Sequence, residues 1–222
     1  MASRKPQNDL QIAKIKLLEG TLQPIDGGEQ MFSFGYELDR IGHRDAAEAV
    51  YRQTIEVLES LSSGSSEATG KLSLSNLASL AKGHGIKMYE LGRYDEAKGC
   101  FIRAVEVIDS MIVLDACLLQ IEDLAASLNW LGLTLRKTKE YSRACDVYQR
   151  SISIWRSVIR FSPVFGKTDI YRTSLAAALL GYAKCLSKEG QHGLAQRSKA
   201  EARRLMRGTR SASSYEFVAS RR

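Results

Sequence analysis

Proline is nearly absent from this chain. Three occur in 222 residues, at Pro6, Pro24 and Pro163. Such scarcity leaves long stretches free to form the intrahelical hydrogen bonds that proline would break. Period-two alternation of apolar and polar residues is missing as well, so essentially no sheet is expected. No run of about 18 apolar residues occurs, and no membrane-spanning helix is expected. The opening MASRKPQNDL lacks the apolar core of a secretory signal. Cysteine is sparse and scattered: Cys100, Cys117, Cys145 and Cys185 form no CxxC pair. They read as reduced core residues in a cytosolic or nuclear setting. The three histidines, His43, His84 and His192, have no ligand-type partner one turn away, so no metal site is expected. There is no Gly-rich phosphate loop, GxSxG or HExxH, and neither catalysis nor a cofactor is expected.

What the chain does contain is a pattern repeated four times. A small residue is followed twelve positions later by alanine, and in three copies an aromatic stands four positions further on. The copies are Gly35–Ala47–Tyr51, Gly85–Ala97–Phe101, Gly132–Ala144–Tyr148 and Ala183–Ala195, where Lys199 takes the aromatic place. A small residue suits the crossing of two helices, and a ring suits the cap of the next pair. Repeats that cannot bury their own faces must stack, which produces an extended surface rather than a catalytic pocket.

Helical periodicity places the elements. A leading helix over 8–19 precedes a turn at 23–28. Hairpins follow at 29–41 with 45–61, 72–91 with 94–114, 117–138 with 141–160, and 168–189 with 192–207. The turns fall at Gly42, Gly92-Arg93, Lys139-Glu140 and Gly190-Gln191, and the run LSSGSSEATG reads as the clearest loop. In the second hairpin Ala97, Phe101, Ala104, Val105 and Ile108 form a buried stripe. Three regions are expected: a capping segment over 1–27, a repeat domain over 28–207 and a flexible basic tail over 208–222. Trp130 and Trp155 read as core or inter-repeat fillers. Cys100 and Cys145 read as packing residues, and Glu122-Asp123 as a solvated pair near a turn.

Charge is uneven. The net charge is +7, and residues 197–222 hold eight Lys/Arg against two Asp/Glu. A basic end on a nearly neutral body points to an acidic partner or nucleic acid there, or to a solvated tail. Arg203, Arg204, Arg207 and Arg210 also complement the dipole of the last helix.

These features resemble tetratricopeptide repeats. The second copy matches that motif at Gly85, Gly92, Tyr94, Ala97, Phe101 and Ala104. The third matches at Leu131, Gly132, Tyr141, Ala144 and Tyr148, with Ser151 in place of the last alanine. The first has Phe34, Gly35, Gly42, Ala47 and Tyr51, with Thr54 at the end, and the fourth has Ala183, Gly190, Ala195 and Ala202. Successive copies lie 50, 47 and 51 residues apart, longer than the usual repeat of about 34. In this they resemble the enlarged repeats of kinesin light chains and bacterial peptide-sensing regulators. A tandem of microtubule-interacting-and-trafficking hairpins is a fold-level alternative, and the first copy resembles one such unit. The resemblance implies an all-α, right-handed α-solenoid of four long hairpins that binds another protein.

In that family the first helices line the concave side. Carried over, the groove would present Phe32, Tyr36 and Arg40 from the first copy and Lys82, Ile86 and Tyr89 from the second. Asn129, Leu133, Arg136 and Lys137 would come from the third, and Lys184 and Lys188 from the fourth. Aromatics gather at one end and cations at the other, which fits an acidic partner segment with an apolar anchor near Tyr36 and Tyr89. Asn129 would pair with partner backbone. The clamp used by chaperone-tail receptors is missing, because Ile86 and Trp130 stand at its asparagine places. The expected role is an adaptor or assembly subunit. A peptide-responsive regulator and a basic RNA-associated component are the alternatives.

Overall fold

A computed structural model describes residues 31–56, apart from 32, 40, 44, 45, 48 and 55, and then residues 67–114, 117–161 and 168–207. The expected capping helix, the basic tail, and the groove residues Phe32 and Arg40 lie outside the described residues. Every regular element among the described residues is a helix. The chain divides into two compact units, Met1–Gly83 and His84–Arg222.

The first unit contains α1 (residues 33–39) and α2 (residues 49–54), joined through Gly42 at φ +92°. A β-carbon on Gly35 would lie 2.6 Å from Cε1 of Tyr51, so only glycine lets the ring approach. Met31, Ala47, Val50, Tyr51, Leu77, Ala78 and Ala81 form its core. Thr54 stands where the motif has alanine. Its buried hydroxyl is satisfied by donating to the Val50 carbonyl at 2.8 Å.

Helix α3 (Glu67–Glu90) runs from the first unit into the second. It starts inside the run expected to be a loop. Glu67 and Ala68 favour helix, and an acidic residue suits the positive end of the dipole. Gly70 costs about 1 kcal/mol in a helix interior, too little to stop a 24-residue element.

The second unit continues with α4 (Tyr94–Leu114), α5 (Leu118–Lys137), α6 (Tyr141–Phe161), α7 (Thr168–Lys188) and α8 (His192–Arg207). From α4 onward each helix packs on the next, and α5 also touches α7. That sequential contact is what a stack of hairpins requires. Phe101, Leu128, Leu135, Tyr148, Trp155, Tyr171, Leu179 and Leu186 are buried in it.

One turn design serves all four hairpins. Seven residues after the small position stands a residue of positive φ: Gly42, Gly92 (+79°), Lys139 (+65°) and Gly190 (+76°). The next residue donates its N–H back to the helix just ended. His43 bonds Leu38, Arg93 bonds Met88, Glu140 bonds Leu135 and Gln191 bonds Leu186, at 2.8–2.9 Å. These are the six-to-one bonds of a left-handed helix stop. Five residues beyond the turn, the motif alanines Ala47, Ala97, Ala144 and Ala195 are all buried.

The small-to-ring contact recurs in the second unit. A β-carbon on Gly85 would sit 2.8 Å from the Phe101 ring, and one on Gly132 would sit 2.9 Å from the Tyr148 ring. Tyr148 also lies against Gly181, a residue the sequence pattern passes over in favour of Ala183. Each helix-interior glycine costs about 1 kcal/mol. A buried aromatic removes about 150–250 Å² from water, worth about 4–6 kcal/mol before entropy. The ring therefore outweighs the glycines that admit it.

Two expectations are corrected here. Cys117 is exposed rather than in the core, because it occupies the N-cap of α5, where its N–H donates to Gln120 Oε1 at 3.1 Å. Glu122 is no turn-side solvated residue. It lies within α5 and accepts a hydrogen bond from the Tyr171 hydroxyl of α7.

Candidate partner-binding groove

Helices α5 and α7 lie side by side because α6 packs on both. They are the first helices of consecutive hairpins, and both end in cations: Arg136 and Lys137 on α5, Lys188 on α7 with Lys184 one turn earlier. Basic residues there complement the carbonyl end of the helix dipole. Antiparallel return of the second helices brings Tyr141 and Lys199 to the same end. Arg136, Tyr141, Lys184, Ser187, Lys188 and Lys199 line one cleft of about 330 Å³. Four of the six are cations, and none is a carboxylate.

The electrostatics reflect that crowding. Lys184, although its side chain reaches the surface, is held below the ordinary lysine range, first by partial desolvation and then by the Arg136 and Lys199 charges. The Arg136 guanidinium is half-buried, and its Nε has no hydrogen-bond partner. Beneath it the buried Tyr148 phenol is pushed far above its usual range by burial, with Arg136 opposing that rise. Tyr89 of α3 is raised by its own burial, again with Arg136 pulling the other way. Arg136 thus stands among residues of three hairpins.

Tyr89 belongs to an aromatic group. Its ring meets Tyr94 at 5.2 Å and Trp130 at 5.7 Å, both edge-on, and Trp130 stacks on Phe101 at 5.9 Å. Trp130 is therefore an inter-repeat filler, and Trp155 is buried against Tyr171. Lys137 is exposed and lies over the Tyr94 ring, 5.5 Å from its centre, which sets it beside the aromatic group. Ile86 and Leu133 are partly exposed. Tyr36 and Lys82 lie in the first unit.

Asn129 has an internal role. Its amide nitrogen reaches the Ser174 carbonyl of α7 at 3.4 Å, and its oxygen faces the Ser151 hydroxyl at 2.7 Å. That hydroxyl also lies 2.8 Å from the Ala125 carbonyl. Asn129 and Ser151 together tie α5, α6 and α7. The departure from alanine at Ser151 is the sequence signal that a polar clasp replaces a small packing contact.

Other reactive groups are quiet. His84 Nδ1 lies 3.5 Å from Cys100 Sγ. Burial pushes the imidazole down to about 4 and the thiol up to about 11, so both are neutral near pH 7. A neutral thiol is a poor nucleophile. Burial also raises Cys145, and Cys185 to about 12. A second cleft of about 500 Å³ runs between α6, α7 and α8, but there Arg156 is paired with Glu201 at 2.8 Å. Among the described residues no group of His, Cys, Asp and Glu could hold a metal ion, and no helix is long and apolar enough to cross a membrane.

A tetratricopeptide repeat family model matches residues 124–159, which span the α5–α6 hairpin. No curated protein matches the chain. Similar solved structures include BtubC (BKLC) from P. vanneervenii, at 15% identity over 94% of each chain with a TM-score of 0.45. Another is the nearly identical TPR-like repeats of a candidate kinesin light chain from Podosopora anserina. It is 14% identical over 94% of this chain and 100% of that one, with a TM-score of 0.43. The third hairpin thus matches the tetratricopeptide repeat model, and the hairpins before and after it share its turn geometry and its buried alanine.

Proposed function

We propose that this chain is a non-catalytic binding module that holds an acidic segment of another protein along the face where α5 and α7 lie together. Tetratricopeptide repeats generally mediate protein–protein interaction, and the proposed setting is cytosolic or nuclear. The observation that carries the reading is the cleft in which Arg136, Lys184, Lys188 and Lys199 converge with no carboxylate. Like charges brought together are unfavourable unless an anion answers them. The partly exposed Tyr89, Ile86 and Leu133 supply an apolar flank, and a buried apolar anchor contributes most of the affinity in such contacts. Tyr36 and Lys82 enter the reading on the repeat resemblance alone.

Selection of a displayed random-peptide library on the full chain tests it. Enriched peptides should be acidic with an aromatic or aliphatic residue, and Arg136→Glu with Lys184→Glu should weaken them at least tenfold. Enrichment without acidic residues, or unchanged affinity in the double variant, would remove the proposal. Binding of RNA oligonucleotides in preference to every peptide would favour the RNA-associated alternative.

A further inference from the structure

We infer that the cleft at the end of α5 and α7 is a phosphate site that takes a phosphoserine or phosphothreonine carried on the bound segment. This rests on the binding role proposed above and specifies its chemistry.

The first argument is charge. Arg136, Lys184, Lys188 and Lys199 bring four positive charges to a space of about 330 Å³. Several other cations of the unit have acidic partners: Lys98 and Arg143 meet Glu140, Arg150 meets Asp109, Arg156 meets Glu201 and Arg172 meets Asp169. The four cleft cations converge on one space with no carboxylate in its lining. A carboxylate would answer one charge. A phosphate ester brings about −1.5 to −2 at neutral pH and three acceptor oxygens.

The second argument is donor type. Arg136, whose guanidinium also hydrogen-bonds the Tyr148 phenol, lines the cleft, and its planar fork matches tetrahedral oxyanions. Three ammonium groups and the Tyr141 hydroxyl add further donors, while the Ser187 hydroxyl donates to the Ala183 carbonyl at 2.9 Å. The space exceeds what a carboxylate fills and accommodates a phosphate with its ester carbon.

The third argument comes from the repeat itself. At the position that holds Tyr51, Phe101 and Tyr148 in the other copies, the fourth copy holds Lys199. A packing ring has been replaced by an ammonium group that faces into the cleft. The Arg136 and Lys199 charges beside the exposed Lys184 add to the partial desolvation that lowers it, and a bound dianion would answer that like-charge crowding.

The test uses the full chain and three peptide pools with the same degenerate flanks, centred on phosphoserine, glutamate or serine. Retention of the phosphoserine pool should exceed that of the glutamate pool at least tenfold. Lys184→Gln with Lys199→Gln should abolish this preference, while Arg172→Gln, which removes a cation outside the cleft, should leave it intact. Circular dichroism on each variant confirms the helical fold. Equal retention of the phosphoserine and glutamate pools would overturn the phosphate site and leave the acidic-segment reading standing. Retention of no pool would overturn both. Preference for phosphoinositide vesicles over every peptide pool would overturn the assignment to a protein-borne phosphate.

Discussion

A methyl group added at Gly132 or Gly181 has nowhere to go. The Tyr148 ring already occupies both places. In an open helix, glycine to alanine stabilises by about 1 kcal/mol, and Gly99 in α4, with nothing within 4 Å, should behave that way. Gly132→Ala and Gly181→Ala should instead destabilise by about 1–3 kcal/mol, as overpacking does. Urea unfolding of the three variants reads the difference in sign, and a common sign would show that the ring contact is not what selects glycine. Lys139 is the opposite case. It holds φ +65° where the other turns have glycine. A left-handed conformation costs an L-residue about 1–2 kcal/mol, and glycine returns about 0.4–1 kcal/mol through the unfolded chain. Lys139→Gly should raise stability by about 1 kcal/mol, which a thermal melt would detect. Gly35, Gly85 and Gly132 were legible in the sequence because the twelve-residue step to alanine marks them. Gly181 was not, because its ring comes from the preceding hairpin and no local spacing encodes that.

Between elements, one ion pair connects the second hairpin to the third turn. Lys98 of α4 meets Glu140, just before α6, at 2.8 Å. The hydrogen bond from Lys98, then that from Thr138, pulls the Glu140 carboxyl from 4.5 to about 2. A carboxyl depressed in the folded state stabilises above its unfolded pKa and loses that contribution as pH falls. Glu140→Gln should therefore be less stable than the native chain above about pH 4.5. The gap should close as pH falls toward 2, measured by urea unfolding across that range. A gap independent of pH would mean that the pair contributes through shape alone. The helix ends from α4 onward could be read from the sequence to within a residue or two, because Gly or Lys–Glu turns and resuming periodicity punctuate them. The start of α3 could not. Serine and glycine in LSSGSSEATG signal a loop, yet Glu67 onward is helical, since propensity is a weak prior beside a long helix. The internal duty of Asn129 was equally hidden, because its partners, Ser151 and Ser174, lie 22 and 45 residues away.

At the scale of the molecule, the chain carries +7, but its placement matters more than its total. Cations such as Lys98, Arg150 and Arg156 are answered by nearby acids, whereas Arg136, Lys184, Lys188 and Lys199 converge where α5 and α7 end. Screening shortens the reach of charge to about 10 Å at 0.1 M salt and about 3 Å at 1 M. Affinity for the selected acidic peptides should fall at least tenfold between about 0.05 and 0.5 M NaCl in the native chain. It should respond little to salt in Arg136→Glu with Lys184→Glu. Fluorescence anisotropy titrations would show this, and parallel salt responses would place the binding elsewhere. That Arg136, Lys184 and Lys188 would come close together was legible by carrying the repeat register forward, and they line one cleft. Lys199 was legible only as a gap in the aromatic pattern, and its place in the cleft required the third dimension.

The ring of Tyr148 rests on glycines contributed by two hairpins, so the seam after Phe161 is a poor place to cut the gene. A fragment ending there would leave one face of that phenol in water, and a fragment starting at Thr168 would carry a bare notch at Gly181. Whoever trims this protein for expression should keep the last two hairpins in one piece.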